Sequence, residues 1–486
     1  MPPRTALHTA LRSAPIFVLL SSCGVLFGCG GTEEPPPPIE THECPAVTGM
    51  GTTHQVNIDA DETWTAAANP HVITFGLRVQ AGTLTIEPCA VVRIQPGHSI
   101  IVGSNPGGAA AALVAHGEVI WNSDGSQSIR PVMFQPDQEG THWGSIRAFP
   151  TGRIDLELAT LRGGGEQSTA QNSGGTLIAI GGGGPTLERN VRVVSVTIDG
   201  SGGFGANLQS FAAFTEDSRD LIITGSGRQP SPPSISTDDP ILIAPPAVQT
   251  IPMGDYTGNK VDAIQIFNQV RVETDETFRD RGVPYRLPTS FAMSSAEAMA
   301  AGGLATLTLE AGVTLKLLKT PGNVWSIRLG TSNGTQPENL WPVRLIAEGT
   351  AEKPIVITSA SETPAAGDWG GIQWRAAPSS GNVIKHMRLE YGGGDSGTAG
   401  FGCGPSDNDA ALVITNWRPD SDFIDDLTIM SSESGGIVSG WMSDEEGPDL
   451  KDGNTFTGIG SGCDVSRWAN LSAPTCPGND SVPDCL

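Results

Sequence analysis

One set of short phrases runs through this chain twice, in the same order. Asp61-Glu62-Thr63-Trp64 returns as Asp275-Glu276-Thr277-Phe278, and Pro70-His71-Val72 as Pro284-Tyr285-Arg286. Leu84-Thr85-Ile86-Glu87-Pro88 returns as Leu307-Thr308-Leu309-Glu310-Ala311, and Ala115-His116-Gly117 as Ala347-Glu348-Gly349. His142-Trp143-Gly144-Ser145-Ile146 matches Asp368-Trp369-Gly370-Gly371-Ile372, and Gly163-Gly164-Gly165-Glu166 matches Gly392-Gly393-Gly394-Asp395. The offset drifts only from 214 residues (Glu62 to Glu276) to 232 (Gly117 to Gly349). Landmarks kept in order imply two copies of one unit, over residues 44–265 and 266–465.

Each copy is written in short strands. Leu84, Ile86, Val92 and Ile94 alternate with polar residues, as do Leu307, Leu309, Leu315 and Leu317, the period of a strand. Ile100, Val102, Leu113 and Val114 continue the first set. Clusters of Gly, Pro, Asn and Asp separate them. Only residues 294–302 suggest a turn or two of helix. A copy this long is no propeller blade of ~40–45 residues. Tandem sandwiches would show hairpin turns such as Asn-Gly. The open-ended pattern fits parallel strands coiled into a solenoid, in which each rung buries its inner side chains against the rungs above and below. Gly at 62 of 486 residues and only 16% charged residues agree with a turn-rich all-β chain. The Pro-rich stretch 226–248 is read as a loop excursion, with the solenoid continuing through Ile241-Leu242-Ile243 and Ala263-Ile264-Gln265-Ile266. Two separate domains on a linker are the other reading.

With Pro354-Ile355-Val356-Ile357-Thr358 and Tyr391-Gly392-Gly393 added to the phrases at 84–88, 115–117, 347–349 and 368–372, the chain resembles right-handed parallel β-helix proteins of the pectin-lyase-like superfamily. Within that group it resembles surface lipoproteins of myxobacteria. The resemblance covers residues 50–465 and implies an all-β, right-handed parallel β-helix with an internal duplication. It implies little about activity, because this fold hosts lyases, hydrolases and adhesins. One position departs from it: Cys89 stands where copy two has Gly312. That exchange makes sense if Cys89 bonds Cys44 and clamps the entering chain onto the first rung.

Residues 1–28 read as an export signal. Arg4 and Arg12 precede an apolar stretch over 14–27, shorter than the ~20 residues that span a bilayer. Leu26-Phe27-Gly28-Cys29 resembles a bacterial lipobox, which implies lipid attachment at Cys29. Leu20-Ser21-Ser22-Cys23 is the alternative, with attachment at Cys23, and a plain secretory signal without lipid is a third reading. Residues 29–43 contain the proline run 35–38, a stiff polyproline spacer suited to a tether. Gly30 after the Cys favours, by analogy, the outer membrane. The expected location is the outer membrane or cell surface of a Gram-negative bacterium.

Six cysteines remain beyond the signal: Cys44, Cys89, Cys403, Cys463, Cys476 and Cys485. In an exported chain they suit disulfides. Nearness in sequence favours Cys44 with Cys89, Cys403 with Cys463, and Cys476 with Cys485. No CxxC pair is present, which argues against zinc. Residues 466–486 are expected to cap the C-terminal end, whose strand edges would otherwise invite aggregation.

Signs of chemistry are few. The chain has no Walker loop, no HExxH and no GxSxG. The Gly run 181–184 precedes no helix and reads as a turn rather than a phosphate cradle. His42, His54, His71, His98, His116, His142 and His386 are isolated in sequence and read as surface or rung residues. The acidic set Asp407, Asp409, Asp420, Asp422, Asp425 and Asp426 has oxygen ligands that suit calcium, but Asp407-Asn408-Asp409 lacks the rest of a calcium loop, and a solvated acidic face is the plainer reading. Trp143 and Trp369 hold equivalent places; packing at a rung corner is expected, sugar stacking being the alternative. No catalytic, cofactor-binding or metal-binding residue is assigned. A net charge of −24, from 28 Lys+Arg against 52 Asp+Glu, disfavours nucleic acid as a partner. The expected role is structural, adhesive or recognition at a surface, with the membrane as partner through the N-terminal lipid and an extracellular polysaccharide or surface protein as ligand. The alternative is a polysaccharide lyase or glycoside hydrolase.

Overall fold

Leu84, Ile86, Val92 and Ile94 all point into one continuous apolar core, none more than 1% exposed. Leu307, Leu309, Leu315 and Leu317 do the same in copy two, none above 3%. The computed structural model that shows this describes residues 44–166, 174–184, 186–230, 236–267, 272–300, 303–320, 322–332, 340–375, 380–396, 409–415, 418–419, 421–440, 447–467 and 484–486. The segment bearing Cys23, Cys29 and the proline run lies outside these residues, as do His42, Cys403, Asp407, Asp420 and Cys476.

The strands are short because each forms only one side of a rung. In copy one the first side stacks Glu62–Trp64, Gly82–Ile86 and Ala111–His116 in parallel. The second stacks His71–Ile73, Val91–Ile94 and Val132–Pro136. The third stacks Leu77–Val79, Ile100–Val102 and Ile146–Ala148. Copy two repeats the scheme. Its first side is Glu276–Phe278, Thr306–Leu309 and Arg344–Glu348. Its second is Tyr285–Leu287, Thr314–Leu317 and Ile355–Ser359. Its third is Phe291–Met293, Ile327–Leu329 and Ile372–Arg375. The chain is therefore a parallel β-helix. The one α-helix among the described residues, Ala296–Ala300, falls inside the stretch 294–302 expected to be helical.

Two sides can share one bent strand. In Gly152–Arg162, residues 152–157 pair with Ala111–His116 and residues 159–161 with 132–134. Val383–Glu390 bends likewise, from 346–348 to 355–357. A left-handed residue makes each bend: Leu158 at φ 48° and His386 at φ 46°. The neighbouring rung must then be glycine. A Cβ on Gly117 would come within 2.6 Å of the Leu158 carbonyl oxygen, and one on Gly349 within 2.6 Å of that of His386. That clash is the physical content of the Ala-Xaa-Gly phrase. Cys89 (φ 62°) and Gly312 (φ 91°) also share a left-handed backbone. The exchange of Gly for Cys keeps this conformation, at a cost of ~1–2 kcal/mol for the Cβ. In return Cys89 forms the disulfide with Cys44, Cα to Cα 5.3 Å.

Equivalent places keep equivalent roles even where the residue changes. His71 stacks on Trp64 with ring centroids 5.0 Å apart, and Tyr285 meets Phe278 edge-on at 5.1 Å. His71 Nε2 lies 2.9 Å from the Thr65 carbonyl oxygen, and the Tyr285 hydroxyl donates to the Arg279 carbonyl at 2.6 Å. Each ring reaches its first-side corner with a polar tip.

The ladder continues through the Pro-rich stretch. Ile241–Ile243 pairs with Phe204–Gln209 on one side and Ile264–Ile266 on the other. The expected junction at 265/266 falls inside that last strand. Ile264 and Gln265, on the third side of copy one, pair with Tyr285 and Arg286, on the second side of copy two. The copies thus join with their sides out of step. At the C-terminal end the disulfide is Cys463–Cys485, Cα to Cα 5.6 Å, instead of the expected Cys403–Cys463 and Cys476–Cys485 pairs. Asp484–Cys485 folds back antiparallel onto Val465–Arg467 and brings Cys485 beside the rung that carries Cys463. Nearness in sequence misses such a return. The returning strand also covers the last edge of the third side.

Candidate binding groove

Glycine turns form the corner between the second and third sides of copy one. Residues 163–166, 200–203, 225–229 and 258–260 stack over one another there. Gly202 N–H donates to the Gly164 carbonyl (2.8 Å), Gly227 N–H to that of Gly203 (3.0 Å), and Gly225 N–H to that of Gly258 (3.0 Å). Asn259 staples the last two turns: its Oδ1 accepts the Ser226 N–H at 2.9 Å, and its Nδ2 donates to the carbonyls of Ile223 (3.0 Å) and Tyr256 (2.8 Å). Between these turns lies an open groove of about 590 Å3.

The groove carries two exposed cations, Arg228 and Lys260. Arg228 Nε donates to the Gly225 carbonyl at 3.1 Å, and among the described residues its guanidinium pairs with no carboxylate. Lys260 Nζ meets Asp238 at 3.0 Å. Behind Asp238, the wholly buried Asp239 is held by Arg286, which also donates to Gln265 Oε1 at 2.8 Å. Gln229 Nε2 stands 3.5 Å from His142 Nδ1. Burial holds the His142 pKa below its ordinary value. The floor is backbone and small side chains, which allow a ligand close approach. On this floor Lys260 is neutralised by Asp238, so Arg228 supplies the local positive charge in a chain of net charge −24. An enclosed apolar void in copy two, near Phe278 and Phe291, is only about 10 Å3 and too small for a ligand.

The residues singled out in the sequence are placed elsewhere. Trp143 and Trp369 are wholly buried, so neither can stack on a sugar; their indole N–H groups donate to the carbonyls of Arg162 (2.7 Å) and Glu390 (2.8 Å). The histidines are not all isolated. His54 and His71 both pack against Trp64, with ring centroids 3.9 and 5.0 Å from it, and His54 Nε2 lies 3.0 Å from His71 Nδ1. His71 Nε2 donates to the Thr65 carbonyl, and of the facing pair His54 Nε2 and His71 Nδ1 one nitrogen donates to the other. Burial lowers His54 to about 4 and holds His71 below its ordinary value. This cluster is the inside of the first rung. Strand stacking brings together histidines 17 residues apart, which a linear reading cannot see.

The described acidic residues each serve a different partner. Asp409 accepts the Ser396 N–H (3.1 Å) and hydroxyl (2.8 Å), and burial raises its pKa to about 6. Asp422 accepts the Ile424 N–H at 3.0 Å, Asp425 faces Lys385 at 3.5 Å, and Asp426 meets His386. Among the described residues no three or more His, Cys, Asp or Glu side chains are grouped to hold a metal ion.

Sequence reading also missed an ionic hub. Arg192 donates to Asp155 (2.9 Å), Glu157 (3.0 Å) and Asp217 (2.6 Å), and His116 reaches the same Asp155 oxygen at 2.9 Å. Counting from the bends at Leu158 and His386, copy two has Val383 in the place of Asp155, so the rung does not require the hub. One guanidinium bridges the three carboxylates, and the network stitches neighbouring rungs.

A family model described as a pectate-lyase like beta helix domain matches residues 288–398. The match begins just before strand Phe291–Met293 and passes through Val383–Glu390, so it supports the parallel β-helix in copy two. The groove lies in copy one. No curated protein and no solved structure matches the chain.

Proposed function

We propose that this protein is a non-catalytic recognition rod at a bacterial surface, and that the groove at residues 225–230 and 258–260 binds an acidic extracellular polysaccharide. The observation that carries the reading is Arg228, with no carboxylate partner among the described residues, beside a Lys260 that Asp238 holds, on a glycine-rich floor in a strongly acidic chain. Attachment would come from a lipid on Cys29, or on Cys23, with the proline run as spacer. In cells, Cys29→Ser is expected to move the protein from the membrane fraction to the soluble fraction, seen by fractionation and by loss of palmitate labelling. Retention of both signals would transfer the lipid to Cys23, and a wild type that takes up no label would remove the lipid from the account.

The ligand reading is tested with polygalacturonate, by calorimetry at low and at high salt, with calcium and with chelator. Arg228→Ala together with Lys260→Ala is expected to weaken binding at least tenfold, and the remaining affinity should lose its salt dependence. Equal binding by wild type and double variant would sink the groove as the site. The second reading, a polysaccharide lyase or glycoside hydrolase, is favoured by the family match over 288–398. New reducing or unsaturated ends in the same incubations would establish it and end the non-catalytic proposal.

A further inference from the structure

Copy one carries an excursion that its rungs do not need. Between Gly117 and Pro131 the chain inserts residues 118–130, whereas copy two passes from Gly349 to Pro354 with only four residues between. The insertion is an antiparallel hairpin of Glu118–Trp121 and Gln127–Arg130, with Trp121 opposite Gln127 and Val119 opposite Ile129. Directly opposed residues share a face. On this face Trp121 is 69% exposed and Val119 45%.

The hairpin is well braced. Asn122 Nδ2 donates to the hydroxyls of Ser126 (2.9 Å) and Ser128 (2.8 Å). Asp124 Oδ1 accepts both the N–H (2.9 Å) and the hydroxyl (2.7 Å) of Ser126. Arg130 pairs with Glu118 at 3.1 Å on the opposite face. The arm thus holds an indole in water, where it contributes nothing to the core.

We propose that this hairpin is a second carbohydrate site, in which Trp121 stacks on the apolar face of a neutral pyranose and the Gln127 amide bonds its ring hydroxyls. Size selects the occupant. Trp121, Val119 and Ile129 can cover a few hundred Å2 together, well below the ~800 Å2 per partner of a stable protein interface. One or two sugar rings match that area, and an aromatic platform with a single polar group to set orientation is the recognition pattern of small ligands. Charge selects it further. Asp124 stands at the turn, and the one cation of the hairpin, Arg130, is on the other face and paired. An acidic polymer finds nothing to hold there, so this site differs in ligand from the groove and does not depend on it.

The test uses the full chain and two neutral probes, cellohexaose and laminarihexaose, by titration calorimetry. Wild type is expected to bind at least one of them. Trp121→Ala should weaken that binding at least tenfold, Trp121→Phe less, and Gln127→Ala a fewfold. Polygalacturonate binding and the melting temperature should stay as in wild type. The proposal is overturned if wild type binds neither probe, or if Trp121→Ala binds as well as wild type. It is equally overturned if light scattering shows that Trp121→Ala turns a dimer into a monomer, because the face is then a contact between copies. Should Trp121→Ala fail to fold, Gln127→Ala and Trp121→Phe carry the same comparison.

Discussion

Replacing Trp369 by alanine is expected to cost about 3–5 kcal/mol of unfolding free energy, the upper range for one buried aromatic side chain. Trp369 is wholly buried, and its indole N–H satisfies the Glu390 carbonyl at 2.8 Å. Both the packing and that bond go with the ring. Little can move into the vacancy on one flank. The neighbour there is Gly392, whose absent Cβ would lie only 3.1 Å from ring carbon Cε2. Trp143 repeats the arrangement over Gly164, at 2.9 Å from Cζ2. Because rungs lean only on neighbours, the damage should centre on copy two. Urea unfolding gives the magnitude, and hydrogen exchange should show lost protection over Val383–Glu390. A loss below about 1 kcal/mol would mean that the rung corner repacks around the missing ring.

The second large effect is a pH dependence set by Glu276. Glu62 and Glu276 hold the same place in their copies but meet different surroundings. Glu62 is exposed and accepts the Trp64 indole N–H at 2.6 Å. Glu276 is 1% exposed because the 3-10 turn Pro245–Thr250 of copy one lies against it, with the Gln249 N–H donating at 2.9 Å. Burial pushes its pKa from 4.5 up to about 8, against the pull of the Gln249 and Thr277 N–H groups. The folded chain therefore holds this proton more tightly than the unfolded chain does. Stability from this group is greatest below pH 4.5 and is lost as pH rises through 4.5 to 8, at up to ~1.4 kcal/mol per pH unit. Glu276→Gln imitates the protonated acid and removes the titration. The two proteins should unfold at similar urea concentrations near pH 5. By pH 8 the Gln variant should be more stable by roughly a few kcal/mol. Parallel curves across that range would show that Glu276 does not titrate in it.

Much of the architecture was legible because rung geometry leaves a linear trace. Alternation at Leu84, Ile86, Val92 and Ile94 reports inward side chains directly. The Ala-Xaa-Gly phrase reports a close approach of backbone, and the Gly triplets at 163–165 and 392–394 report the flat rings of Trp143 and Trp369 beside them. The Cys44–Cys89 pair followed from one anomalous turn residue. What stayed hidden depends on stacking between distant rungs. His54 meets His71, and Arg192 gathers Asp155, Glu157 and Asp217, only once the coil is wound. The groove was read as a loop, although an arginine inside a Gly-rich turn of an acidic chain was its available signal. Trp121 was passed over in favour of the duplicated tryptophans. Duplication marks what the scaffold needs, and Trp121 lies in an insertion without a counterpart.

Since Ile264 and Gln265 of one repeat hand over to Tyr285 and Arg286 of the other across unlike sides, the two halves turn their corresponding flanks to different quarters of the rod. A straight polymer lying along one flank would never meet the same surface twice.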